Sequence, residues 1–255
     1  MTIKYTSESL INFATELFVR SGMRRDIADE TAHVLVQGDL LGHDTHGLQL
    51  LPMYLGSLEK GGMLADGDIQ ILQQRSAVAS WDGQYLSGPW LVRRALDWAQ
   101  PAAREHGSAT VVIRRSHHIA ALAAYLEQPA REGFLVQLLC SDPSVVSVAP
   151  YGGCEPVVTP NPMAWGIPAS KDPVMIDISA SITTNGMTGR LHGSRQKGEH
   201  AWWIDADGQA TNDPSVLFTD PPGSLLPLGG LEAGHKGFSL ALFVEAMTAL
   251  SLIHI

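Results

Sequence analysis

The sequence predicts a mixed α/β protein. Two early segments carry apolar residues at helical spacing, and from about residue 76 onward short β-branched runs alternate with helix-like stretches. Proline and glycine concentrate in the segments between those runs. With 255 residues, 45% of them hydrophobic, the chain has enough apolar material for one large core or two smaller ones.

The elements follow in order. "TSESLINFATELFVRSGM" offers a Ser/Thr cap, then Leu10, Ile11, Phe13, Ala14, Leu17 and Phe18 along one face, and Gly22 as a stop. "RRDIADETAHVLVQGDLLG" repeats that pattern. "ATVVIRR" and "GFLVQLLCS" read as strands, while "GPWLVRRALDWAQPAAREHG" and "HIAALAAYLEQPAREG" read as helices. "VVTPNPMAWGIPAS", "PVMIDISAS" and "TDPPGSLLPLGGLEAGHKG" are rich in turn residues, which places binding loops there. "HKGFSLALFVEAMTALSLIHI" opens as an amphipathic helix and runs into an uncapped apolar tail. Its last six letters match one reading frame of a sequencing-library transposon end, so a missing C-terminal portion is expected.

Composition narrows the function. Lys plus Arg total 17 against 26 Asp plus Glu, a formal charge of -9, which provides no basic field for nucleic acid or an anionic membrane. Two cysteines, Cys140 and Cys154, do not make a disulfide scaffold and suit a reducing compartment; no signal peptide opens the chain and no apolar run reaches roughly 18 residues, so a cytoplasmic location is expected. G-x-G-x-x-G after a strand, the P-loop, G-x-S-x-G and H-E-x-x-H are all missing, and "GGLEAGHKG" matches a P-loop only loosely.

Three stretches carry the chemistry. In "IRRSHHIAALAAYLEQPAREG", Ser116 is placed to cap a helix whose first turn holds His117 and His118, with Ala120, Ala121, Ala123 and Ala124 allowing close approach. The helix dipole would keep such a histidine neutral and draw an anion; the alternative is a capped structural residue. In "GDLLGHDTHGLQLLPMYL", His43 and His46 lie three apart, which on a helix makes a metal pair and otherwise a capped, solvent-facing turn. In "CSDPSVVSVAPYGG", Asp142 closes an apolar strand, as a turn former before proline or as the carboxylate that orients a histidine.

Together with "TPNPMAWGIP", "MIDISAS" and "GSLLPLGGLEAGHKGFSLAL", these stretches resemble the type 2 malate/L-lactate dehydrogenase family, in collinear order from about residue 5 to 249. The "GHDTHG", "SHH" and "LLP" forms are similar to its hydroxycarboxylate dehydrogenase branch. The resemblance implies a non-Rossmann mixed-sheet NAD(P)-binding domain beside a helical domain built from the chain termini. On that pattern residues 1–72 form the N-terminal helical part on the substrate and dimer side, 73–235 the cofactor-binding domain, and 236–255 the start of a truncated C-terminal helical part.

The resemblance also implies roles. His118 is the general acid/base, Asp142 its orienting partner, and His46 stands near substrate and nicotinamide. Thr45 and Tyr54 lie on the substrate side. Ala120, Ala121, Leu122, Ser141, Ile176, Asp177, Ile178, Ser179 and Pro227, with His46, line the NAD or NADP, and no metal is implied. A homodimer acting on a small 2-hydroxy or 2-oxo acid is expected. The pattern departs in three places: Leu50 stands where many members carry a carboxylate-clamping arginine, Arg115 replaces an asparagine, and Thr159-Pro160 replaces Gly-Thr. Apolar Leu50 is consistent with a larger or aromatic substrate side chain, and Arg115 is either a phosphate contact or a surface residue. A metal-dependent hydrolase or lyase using His43, His46, His117 and Asp142, and an inactive dinucleotide-binding remnant, are the competing readings.

Overall fold

The structure, a computed structural model, describes residues 4–250. The expected apolar tail at 251–255 lies outside the described residues. The chain divides into two compact units, one running to Val136 and taking in Trp165–Ile176, the other comprising Gln137–Ala164 and the chain from Asp177 onward.

In the first unit, α1 spans Ser7–Arg20 and is capped by Thr6, whose hydroxyl accepts from the Ser9 amide at 3.2 Å. Gly22, at φ 92°, turns the chain into α2, Arg25–Leu40, which packs on α1 through Phe18, Ile27, Ala28 and Leu35, all without exposed surface. Phe13 points outward instead, 59% exposed, although it shares the predicted apolar face. A 3-10 turn at Leu48–Leu50 leads into α3, Leu51–Glu59, with Pro52 in its first turn and Tyr54 wholly buried. Strand β1, Gln70–Arg75, runs antiparallel to β2, Val78–Asp82. Strand β3, Thr110–Arg114, lies parallel to β2, and α4, Gly88–His106, makes the crossover that a parallel pair requires. Gly107, left-handed at φ 87°, ends α4.

The helix expected from His118 onward does not form. Residues 118–121 have no regular structure, a 3-10 turn occupies Leu122–Tyr125, and only Glu127–Arg131 is α-helical (α5). Ala120 sits at φ 57°, and side chains capture the carbonyls a helix would use: Tyr54 donates to His118 O at 2.8 Å and Tyr125 to Ile119 O at 2.5 Å. Ser116 caps nothing; its hydroxyl donates to the His117 carbonyl. The helix-dipole argument for a neutral histidine is thereby overturned.

Strands β4 (Val136–Leu139), β5 (Met163–Ile167) and β6 (Val174–Ile178) form a three-stranded sheet in that order. The second unit holds α6, Asn185–Gly193, and a small antiparallel sheet in which β7, Trp203–Ile204, lies between β8, Ala210–Thr211, and β9, Ser224–Leu225. Trp203, with no exposed surface, donates its indole N–H to Thr188 on α6 at 3.2 Å. Ile204, Leu226 and Ala149 form a buried cluster beside it. Helix α7, Gly230–Glu245, continues as a π-turn over Ala246–Leu250. These sheets of three strands agree with the mixed-sheet, non-Rossmann class.

Candidate active site

Four of the predicted site residues meet in the first unit. His118 is exposed, and its ring stacks on His46 with centroids 5.9 Å apart and planes 22° apart. The Tyr54 hydroxyl lies 3.0 Å from His118 Nδ1 and donates to the carbonyl of the same residue. Thr45 Oγ1 is 2.8 Å from His46 Nδ1. The Tyr54 ring meets His117 edge-on, with centroids 5.0 Å apart. Thr45, His46 and Tyr54 thus meet His118, more than sixty positions away in sequence, with Tyr54 buried beneath the exposed ring.

Local structure explains why His118 stands where it does. The Ala120 amide donates to His118 Nδ1 at 3.1 Å, folding the backbone back onto the ring. Arg93, paired with Glu30 at 3.2 Å, donates to Ala124 O and lies over the Tyr125 ring. On the other side, a Cβ at Gly88 would overlap the carbonyl oxygens of both His117 and His118, so only glycine lets α4 lie this close. Ala120, Ala121 and Leu122, expected beside the cofactor, are buried in the same loop.

His43 and His46 do not share a helical face. Gly42, at φ 86°, ends α2, and residues 43–46 form a turn closed by His46 N donating to His43 O at 2.8 Å. Neither Asp44 nor Thr45 caps the following helix; Asp39 organises the turn by accepting from the Leu48 amide at 2.9 Å, with Gly47 flush against its carboxylate. Burial, working against that hydrogen bond and with help from Asp44, holds the Asp39 carboxyl above its ordinary pKa. Among the described residues no group of three His, Cys, Asp or Glu side chains is gathered to hold a metal ion. Leu50, at the arginine position, is half-buried.

In the second unit the predicted cofactor-lining residues Ser141, Ser179 and Pro227 sit on or beside segments joined by backbone hydrogen bonds. Cys140 N donates to Pro162 O, Ala180 N to Pro160 O, and Leu228 N to Ala180 O, while Ser181 bridges Pro227. Ser141 Oγ is 2.6 Å from Thr248 Oγ1, and Ser179 Oγ donates to Ser181 O. Ile176, Asp177 and Ile178 follow one another along β6, the two isoleucines 37% and 40% exposed. Asp142 belongs to this unit, and its Oδ1 accepts from both the amide and the hydroxyl of Ser144. Burial, aided by Asp142 and Glu245, pushes the Cys140 thiol up to about 12.

Two supporting residues were not visible in the sequence. Asp82, without exposed surface, receives Arg114 at 3.0 Å and a forked contact from Arg115, closest at 2.7 Å. Arg115 is an exposed residue, as the surface reading has it, and is tied down by this ion pair. Gly88 was read only as part of a helix start. "WDG" and "SGP" look like ordinary turn and helix-start residues until the chain is folded.

The malate/L-lactate dehydrogenase family profile matches residues 5–252. The chain is 30% identical to an L-lactate dehydrogenase of Cupriavidus necator over 97% of its own length and 71% of that relative. It is 33% identical to a (2R)-3-sulfolactate dehydrogenase (NADP(+)) of Chromohalobacter salexigens, covering 89% of this chain and 66% of the other. Its fold superposes on the crystal structure of malate dehydrogenase from Entamoeba histolytica with a TM-score of 0.92 at 27% identity, covering 98% of this chain and 72% of that one. The chain belongs to the malate/L-lactate dehydrogenase family. It is accordingly an oxidoreductase of the NAD(P)-dependent hydroxycarboxylate type.

Proposed function

We propose that this chain interconverts a 2-hydroxy acid and its 2-oxo acid with His118 as general acid/base. The observation that carries this reading is the meeting of His118, His46, Thr45 and Tyr54, with His118 exposed above the buried Tyr54. A near-neutral imidazole serves both directions, taking the hydroxyl proton in oxidation and returning it in reduction. For Nε2 to exchange that proton, Nδ1 must keep its own hydrogen. Tyr54 is the acceptor 3.0 Å away, and it passes its own hydrogen to the His118 carbonyl. The Ala120 amide favours the opposite tautomer, with the hydrogen on Nε2. Asp142 is assigned to bias the ring toward the useful form and to steady its charged state. Thr45 and His46 face the substrate, and Tyr54, being buried, acts on it through His118.

The second unit fits a dinucleotide. Gly229 and Gly230, at φ 97° and 61°, open α7 without any side-chain cap two residues beyond Pro227, and Ser141 and Ser179 add hydroxyls to the same unit. We assign Ser141, Ile176, Asp177, Ile178, Ser179 and Pro227, with His46 and Ala120–Leu122, to hold NAD or NADP. When bound, that group gives or takes the hydride. The division into a substrate part at 1–72, a cofactor part at 73–235 and a helical part from 236 belongs to the same proposal.

We further assign a homodimer and a cytoplasmic setting. Exposed Leu242, Phe243 and Met247 at the end of α7 support assembly, and two free cysteines suit a reducing compartment. No helix among the described residues is long and apolar enough to cross a membrane. The test follows NADH and NADPH oxidation with pyruvate, phenylpyruvate and oxaloacetate, for this chain and for a longer family member. Turnover of at least one 2-oxo acid, lost in His118→Ala, is the expected result. Full activity in His118→Ala moves the acid/base role to His46.

A further inference from the structure

We infer that Asp82 is a positioning residue for His118, which deepens the acid/base reading above and takes its catalytic meaning from it. Asp82 is the last residue of β2 and pairs in register with Arg114 at the end of β3. Its carboxylate has no exposed surface, yet it accepts from Arg114 Nε, Arg115 Nε and Nη2, and the Gln84 amide at 2.9 Å. Beyond the sheet the two segments stay joined. Gly83 N donates to Arg114 O at 2.8 Å, Tyr85 N to Arg115 O at 2.6 Å, and His117 N to Leu86 O at 3.1 Å.

This junction holds unfavourable backbone in place. Gln84, Tyr85 and Arg115 all take left-handed conformations, at φ 51°, 60° and 52°, although none is glycine or asparagine. Such conformations persist where surrounding contacts over-determine them. Here the Asp82 carboxylate supplies those contacts through a planar fork that a lysine does not reproduce. From Arg115 the chain continues through His117, whose carbonyl lies against Gly88, to His118, whose carbonyl is held by Gly88 and Tyr54 together. A displacement at Arg115 therefore passes along three residues to the imidazole.

The test compares wild type with Asp82→Asn and Arg115→Lys. Each is measured for kcat and KM, for active-site content, and for the His118 ring signals in long-range proton–nitrogen NMR, assigned by their loss in His118→Gln. Arg115 is half-exposed, so Arg115→Lys is expected to stay folded even if Asp82→Asn does not. The expected result is kcat lowered about 10-fold in Arg115→Lys and about 100-fold in Asp82→Asn, with cofactor KM within about twofold and the His118 signals shifted. Unchanged kcat per active site with unmoved His118 signals in Arg115→Lys overturns the inference, whatever happens to thermal stability. A wild-type chain that turns over no 2-oxo acid counts against the proposed function, and the ring signals in Arg115→Lys still decide for or against Asp82.

Discussion

The loop that carries His118 and the segments that carry Ser141, Ser179 and Pro227 are held in different ways. Around His118, side chains do the holding: Tyr54, Tyr125 and Arg93 each take a loop carbonyl, and Asp82 takes two arginines. In the second unit, backbone amides and carbonyls join neighbouring segments directly. On the proposed function, the contrast follows from what each region is assigned to do. A proton-transferring ring needs one orientation, which specific side chains enforce, whereas a surface for ribose and phosphate needs a row of polar groups that any residue's backbone supplies.

Substitutions probe that contrast, and the largest effect is expected at the ring itself. His118→Ala should lower kcat about 100- to 10,000-fold with an unchanged circular dichroism spectrum. A loss confined to KM would instead make the ring a binding group. Next comes the support. Gly88→Ala forces a methyl group into two carbonyl oxygens, so it should cost about 1–3 kcal/mol of stability in urea unfolding and lower kcat about 10-fold or more. If Gly88→Ala matches wild type in both, the loop is not held by that contact.

Acid should expose the buried carboxylate. Burial alone would raise the Asp82 pKa, but Arg115, the Gln84 amide and Arg114 together outweigh it and hold the group below its ordinary range. Its contribution to stability is thus fully present above the unfolded value of about 3.9 and is lost as pH falls through the folded one. Urea unfolding at pH 5 and pH 3 should show wild type losing more stability between them than Asp82→Asn does; equal losses would remove the charge from the account. The smallest effect is expected in the second unit. Ser179→Ala should shift cofactor KM by less than about fivefold and leave kcat nearly untouched, because the segment is held by its neighbours' backbone.

The same contrast explains what was legible in the sequence. Helices α1, α2 and α4 and strands β3 and β4 were readable because periodicity, caps and β-branched runs are local signals, whereas β5 and β6 lie in the proline- and glycine-rich stretches read as loops. Thr45, His46, Tyr54 and His118 were found through motif resemblance, and the structure puts those four together. The segment after His118 was misread because alanine-rich sequence favours helix, while tertiary hydrogen bonds from Tyr54 and Tyr125 impose a left-handed Ala120. Nothing local in "GHDTHG" revealed that Asp39, in the preceding helix, would organise its turn. Asp82 stayed hidden for a similar reason: its partners lie across the α4 crossover, more than thirty positions away.

Asp82 and Gly88 belong to the β2–α4–β3 crossover and Arg115 and His118 follow directly on β3, so the support of the proposed proton-transfer group is one continuous stretch of chain. Residues such as Leu50 sit outside it, on the turn and helix that precede β1. On the proposed function, a substitution at Leu50 changes the substrate side without altering the residues that support His118, in a chain similar to lactate, malate and sulfolactate dehydrogenases.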